Sequence, residues 1–190
     1  MIPRKTDSAM SPSSGSPGTV YTIGHSTLPL EDFIERLKTF EIQRVVDVRT
    51  VPRSRHNPQY DRQTLPQALR RRGIGYIHVK GLGGLRHSRA GSLNTGWRNA
   101  SFRGFADYMQ TPQFQRSLER LIRMASEKTV ALLCAEAVPF RCHRSLIADA
   151  LAVRGLEVRH IVSKRTAKLH ALTPWIRVQG LAISYPHPED

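Results

Sequence analysis

Nothing in this sequence is long enough to cross a membrane. Its longest apolar run, residues 130–135, covers six positions, against about 20 for a span. Cysteine is scarce: two in 190 residues cannot build a disulfide scaffold. Residues 1–18 are rich in Ser, Pro and Gly and have no apolar core. A secretory signal is therefore excluded, and this stretch reads as a disordered leader. The default location is cytoplasmic, where both thiols stay reduced. Acidic residues are few, 15 against 29 basic, a formal net charge of +14. Lysine is rare within that excess, 6 residues against 23 arginines. The leader carries +1 and residues 163–190 carry +2, so +11 sits between them. The charge belongs to the folded body and not to a basic tail, and it points to anionic partners. A hydrophobic fraction of 39% fills one core, which excludes wholesale disorder and suits a single domain over 19–190.

What is present alternates. Residues 19–25 read as a short buried strand. A helix opens near Pro29 with an apolar stripe of Phe33, Ile34 and Leu37. Residues 44–48 form a second strand, and 51–63 a loop with two prolines. Thr64 caps a helix that stops at Gly73. Residues 74–79 form a third strand. Residues 80–100 hold five glycines and no periodicity, a length at which a loop is usually functional or disordered. Residues 101–109 are helical. Thr111-Pro112 opens a further helix to about residue 126. Residues 129–134 are an unalternating apolar strand, as inside a parallel sheet. Residues 139–154 read as one helix, and 157–162 as a fifth strand. Strands alternating with helices predict an α/β fold, a mostly parallel sheet of about five strands flanked by helices. A long Gly/Arg-rich loop lies at its carboxyl rim, and 163–190 docks as a cover or hairpin.

Ligands bind such sheets beyond the carboxyl ends of the strands. The first strand ends in Gly24-His25-Ser26, the second in Asp47-Val48-Arg49 and the fourth in Cys134-Ala135-Glu136. The densest chemistry is the run from Cys134 and Glu136 to Arg141, Cys142, His143 and Arg144. On a helical wheel begun at Pro139, His143 faces the sheet, Cys142 lies at the edge of the buried face and Arg144 points off it. A thiol there feels the positive end of the helix.

Four readings of this run stay open. Cys134 or Cys142 is a nucleophile with His143 or His25 as base. The strand–Cys–loop–helix order resembles phosphatase and rhodanese sites, but the position six after Cys134 is Phe140, and Arg141 comes one later. A metal site would draw on Cys134, Cys142, His143 and His25, though Cys-x7-Cys-His is not a usual zinc spacing. A disulfide is disfavoured in the cytoplasm. In the plainest reading both cysteines are small buried residues, with Glu136 paired to an arginine.

The arginines gather in two loops. Arg49, Arg53, Arg55 and Arg62 lie with His56 in one. Lys80, Arg86, Arg89 and Arg98 lie with His87, Gly83, Gly84 and Trp97 in the other. Guanidinium forks suit phosphate, and glycine admits backbone amides to an anion. Trp97, Phe102, Tyr60 and Tyr108 offer stacking faces for a base.

Thr22-Ile-Gly-His-Ser26, Val45-Val-Asp-Val-Arg49, Pro52 to Arg55, Leu82-Gly-Gly84, Trp97, Phe102 to Met109 and Cys134-Ala-Glu136…Cys142-His-Arg144 follow one another in order. With Leu172-Thr-Pro-Trp-Ile-Arg177 and Ser184-Tyr-Pro186 they resemble the domain-of-unknown-function 488 family, over about residues 20–186. As the name records, that family has no established activity. The resemblance implies the domain and its signature, but no substrate, cofactor or catalytic residue.

The residues themselves support a small enzyme acting on an anionic substrate, foremost a nucleotide or nucleic acid. Its acid–base and nucleophilic groups are drawn from His25, Asp47, Cys134, Glu136, Cys142 and His143. Arg49, Arg53, Arg55, Gly83, Gly84, Arg86, Trp97 and Arg144 bind substrate. No metal ligand is assigned and no cofactor is indicated. The alternatives are a non-catalytic nucleic-acid-binding module and a metal-bound structural or redox protein.

Overall fold

The computed structural model describes residues 18–187, so nearly all of the expected disordered leader lies outside the described residues. β1 (Thr19–Gly24), β2 (Arg44–Asp47), β3 (Gly75–His78), β4 (Val130–Cys134) and β5 (Glu157–Ile161) pair in parallel, and β6 (Ala167–Leu169) adds an antiparallel edge to β5. The order is β3-β2-β4-β1-β5-β6. The fold is the expected α/β class with a mostly parallel sheet, of six strands where five were read. The extra strand is three residues long and mostly exposed, too short for a periodicity to betray it.

β1 and β4 are buried along their whole length, which is why they show no alternation. Alternate side chains nonetheless serve opposite faces. Tyr21, Ile23, Val45, Ala131 and Leu133 pack under α1 (Leu30–Thr39) and α2 (Leu65–Arg70). Val20, Val46, Val130, Leu132 and Cys134 face α3 (Ala100–Met109), α4 (Pro112–Glu127) and α5 (Arg144–Ala152). The Cys134 side chain therefore belongs to the α5 side of the sheet.

Local chemistry explains most boundaries. The Thr111 hydroxyl accepts from the Phe114 amide, with Pro112 in the first helical turn. Asn99 caps α3 through the Ser101 and Phe102 amides. Thr64 stands at the start of α2 but makes no side-chain capping bond, contrary to expectation. Residues 139–154 are not one helix. Pro139–Arg141 is a 3-10 turn, Cys142 is extended, and α5 begins afresh at Arg144. β7 (Arg177–Gln179) and β8 (Ala182–Ser184) form a separate hairpin, from which Ile183 and then Tyr185 enter the core beside α3 and α5. No helix among the described residues is long and apolar enough to cross a membrane.

The strand order sets the site. From β1 the chain crosses β4 to reach β2; from β4 it crosses β1 to reach β5. The two crossings use opposite faces, so the loops leaving β1 and β4 part company. That separation opens a crevice at the carboxyl ends.

Candidate active site

A cavity of about 410 Å3 occupies this crevice. His25, Arg49, Arg53, Gly84, Phe102, Cys134, Glu136, Arg141, Cys142 and His143 are among the residues that line it. Three contiguous strands, β2, β4 and β1, supply its floor.

Gly24 makes room for the loop beyond β4. A Cβ there would overlap the Glu136 carbonyl, so the last residue of β1 tolerates no side chain. That carbonyl accepts a hydrogen bond from Arg144 Nη2. The expected pairing of Glu136 with an arginine thus runs through its backbone. Its carboxylate instead accepts from the Val138 amide at 3.0 Å and is exposed at the cavity.

Arg144 corrects the helical-wheel reading. It was expected to point away from the buried face, yet only 1% of it is exposed. The wheel failed because the helical phase starts at Arg144 and not at Pro139. Its guanidinium donates to Cys142 Sγ at 3.4 Å and to Thr22 Oγ1 at 3.2 Å, besides the Glu136 carbonyl. Among the described residues, no carboxylate lies within ion-pair distance of it. A buried cation needs a counter-charge. Of its three partners, only the Cys142 sulfur can ionise.

His143 flanks the same sulfur. Its Nε2 lies 3.1 Å from the Val48 carbonyl, which can only accept, so Nε2 carries hydrogen. Nδ1 is then free to exchange a proton with Cys142 Sγ, 3.6 Å away. The ring is wedged between Gly84, where a Cβ would collide with it, and the edge of Phe105, 5.0 Å between centroids. The Cys142 thiol is pulled well down by its hydrogen bond from Cys134, then by His143 and Arg144, against the opposing effect of burial. The same hydrogen bond and burial push the Cys134 thiol up. Burial of Arg144 and contact with His143 thus favour the ionised form of the Cys142 sulfur, and the thiol form of Cys134 beside it.

Behind Arg144 runs a buried chain of hydrogen bonds that the sequence reading missed. Thr22 Oγ1 meets His160 Nδ1 at 2.7 Å, His160 Nε2 meets His170 Nδ1 at 2.9 Å, and His170 Nε2 meets Asp149 Oδ1 at 2.9 Å. Asp149 also accepts from the Thr173 amide and hydroxyl and from the Tyr185 hydroxyl. A carboxylate only accepts, so His170 Nε2 carries hydrogen and donates to Asp149. One signal was present: Asp149 stands on the apolar face of α5, between Ala148 and Ala150.

The other expected residues fall into two groups. His25 lines the cavity, but its Nδ1 donates to the Ser26 carbonyl at 2.8 Å and its Nε2 takes Arg49 Nη1 at 3.3 Å. Burial first, then Arg49, lowers it to about 4. It is a neutral, fixed ring stacked on Tyr60 at 4.1 Å, poorly suited as the base for the thiol. Arg49 is held by Asp47 at 2.6 Å and by the Tyr60 carbonyl, with one Nη1 hydrogen left over by count of its donors. Asp47 is fully buried beneath it and also accepts from Tyr76. Arg53 and Arg141 are exposed at the cavity mouth.

Away from the lining, Arg55 is exposed on the loop after β2. Arg86 is occupied by the Tyr108 ring at 3.6 Å and the Gly83 carbonyl. Gly83 packs on Thr50. Trp97 packs against Phe102, Trp175 and Tyr185 under the C-terminal segment.

The two buried histidines carry a pH prediction. His160, like His25, is lowered to about 4, by burial and then by His170 and Arg144. In the unfolded chain a histidine titrates near about 6.5. Between these values the unfolded state binds protons that the folded state refuses, so stability falls as pH drops. The expected loss is up to about 1.4 kcal/mol per pH unit for each histidine. Urea unfolding at several pH values between neutral and acid checks this, and a flat profile would contradict it.

The fold and this rim define an α/β protein with two cysteines, a histidine and a buried arginine gathered at the switch point. The family described as Domain of unknown function DUF488 matches residues 29–151, and the chain belongs to that family. No curated protein and no solved structure matches it.

Proposed function

We propose that this protein is a cytoplasmic enzyme that attacks an anionic substrate, a nucleotide or a nucleic-acid phosphate foremost, with the Cys142 sulfur. The observation that carries the reading is the buried Arg144 guanidinium, whose one ionisable hydrogen-bond partner among the described residues is Cys142 Sγ at 3.4 Å. Thiolate is the nucleophilic form. His143 Nδ1 takes and returns the proton. Arg53, Arg141 and the remaining Arg49 hydrogen draw the anion to the mouth of the cavity, and Phe102 offers a face to a base. A nucleic-acid module without chemistry would account for the exposed arginines but not for a guanidinium buried against a thiol.

The test is labelling with iodoacetamide, a neutral reagent, read by intact mass. Cys142 should label at nearly the same rate from about pH 5.5 to 8, because it is already ionised. Adenosine monophosphate or inorganic phosphate should slow labelling at least about tenfold. The Arg53→Glu, Arg141→Glu double variant should lose that protection and keep the labelling. Turnover found in a nucleotide panel should vanish in Cys142→Ser. A rate that climbs about tenfold per pH unit, as for an ordinary thiol, or turnover that survives Cys142→Ser, would sink the proposal.

A further inference from the structure

We propose that Cys134 and Cys142 are a reversible redox pair: a hydroperoxide oxidises Cys142, and Cys134 closes the product to a disulfide that caps the site. This rests on the reading of Cys142 as the reactive thiolate.

Geometry supplies the first ground. Cys142 Sγ, Cys134 Sγ and a ring nitrogen of His143 lie within 4.8 Å of one another, and both cysteines line the cavity through which a small peroxide enters. Cys134 sits on a fixed strand end, its carbonyl bonded to the His25 amide at 3.0 Å. Cys142 sits on the extended residue between a 3-10 turn and α5, and exposed residues 135–137 lie in the short connection between the two sulfurs. A disulfide needs the sulfurs at about 2.05 Å. Rotation of the two side chains, with adjustment of that loop, is the movement required.

The chemistry balances with groups already in place. The Cys142 sulfide attacks the terminal oxygen of the hydroperoxide and the O–O bond breaks. Sulfur keeps the OH as a sulfenic acid, and the departing alkoxide takes the proton that His143 Nδ1 received from Cys142 and leaves as alcohol, or as water from hydrogen peroxide. Neutral His143 Nδ1 then accepts the Cys134 proton. The Cys134 sulfur attacks Cys142 sulfur, the S–S bond forms, and hydroxide leaves with that proton as water. A small dithiol reverses the oxidation by exchange. Without a second thiol a sulfenic acid proceeds to sulfinic acid, which is not reversed by thiols.

The same three atoms would also suit a soft metal ion. Arg144 argues against it: its Nε–H points at Cys142 Sγ from 3.4 Å, and a divalent cation on that sulfur would lie beside a buried guanidinium.

Treatment of the purified chain with hydrogen peroxide, followed by intact mass, tests the pair. The wild type should lose two hydrogens, lose at least about tenfold of its labelling by iodoacetamide, and regain it with dithiothreitol. Cys134→Ser should gain one oxygen, trapped by dimedone, and then a second, with no recovery. Cys142→Ser should resist. If Cys142 labels at about pH 5.5 yet peroxide gives the wild type only added oxygens, the pair is wrong and the active-site reading stands. If neither reagent reacts with Cys142, or if stoichiometric zinc accompanies the protein and blocks both, both readings fall.

Discussion

Replacing Arg144 with methionine should slow iodoacetamide labelling of Cys142 at about pH 5.5 by between about ten- and a thousandfold. The upper figure is a full return to an ordinary thiol of about 8.5, of which only about one part in a thousand is ionised at that pH. The lower figure is a thiol raised only to about 6.5, because Cys134 and His143 lower it more than Arg144 does and both remain. Methionine keeps the bulk of a side chain that is 1% exposed, and exchanging a buried charge for an apolar group of similar volume is often tolerated. Labelling near pH 9 should therefore approach the wild-type rate, which separates loss of the thiolate from loss of the fold. Arg144→Lys should recover only part of the effect, because an ammonium cannot span the Cys142 sulfur, the Thr22 hydroxyl and the Glu136 carbonyl at once. Undiminished labelling of the methionine variant at low pH would show that Arg144 does not set the charge on Cys142.

Asp149→Ala should cost about 3–5 kcal/mol of stability. The carboxylate is fully buried and receives His170 Nε2 at 2.9 Å, the Thr173 amide at 3.0 Å, the Thr173 hydroxyl at 2.7 Å and the Tyr185 hydroxyl at 2.9 Å. Alanine strands four donors where water does not reach. For a chain of this size the loss corresponds to a fall in Tm of about 10 °C. Asp149→Asn should lie only a little higher, since an amide presents one acceptor and turns its own hydrogens toward the remaining donors. Chemical denaturation read by circular dichroism measures both, and a change below about 1 kcal/mol in the alanine variant would mean that the cluster opens to solvent.

The parts of this molecule legible in its sequence are those written in neighbouring residues. Residues 130–134 announce a central strand because no polar residue interrupts them, and Thr111-Pro112 announces a helix start because a hydroxyl acceptor and a missing amide hydrogen both suit that place. The rim was legible through the switch-point rule, which needs only the strand ends. Arg144 was misplaced because a 3-10 turn resets the helical phase three residues before α5. The row from Thr22 to His160, His170 and Asp149 was invisible because its members are joined only by tertiary pairing: Thr22 and His160 are 138 residues apart and meet because β1 pairs with β5 in that register. Trp97 and Arg86 looked free to bind substrate, but a loop rich in glycine can turn its large side chains inward. Trp175 and Tyr185 receive one, and Tyr108 the other.

The three residues that hold Asp149 (His170, Thr173 and Tyr185) all lie beyond residue 151, where the family match ends. Protein synthesis runs from the N-terminus, so Cys134, Cys142 and α5 are made before the segment that steadies the carboxylate behind Arg144. The hydrogen-bonded frame behind Cys142 is complete only with Tyr185 in its place beside Asn94 and Asp149. A chain cut short by premature termination keeps both sulfurs but lacks the last pieces of their support. The segment beyond the family match thus completes the support behind Arg144.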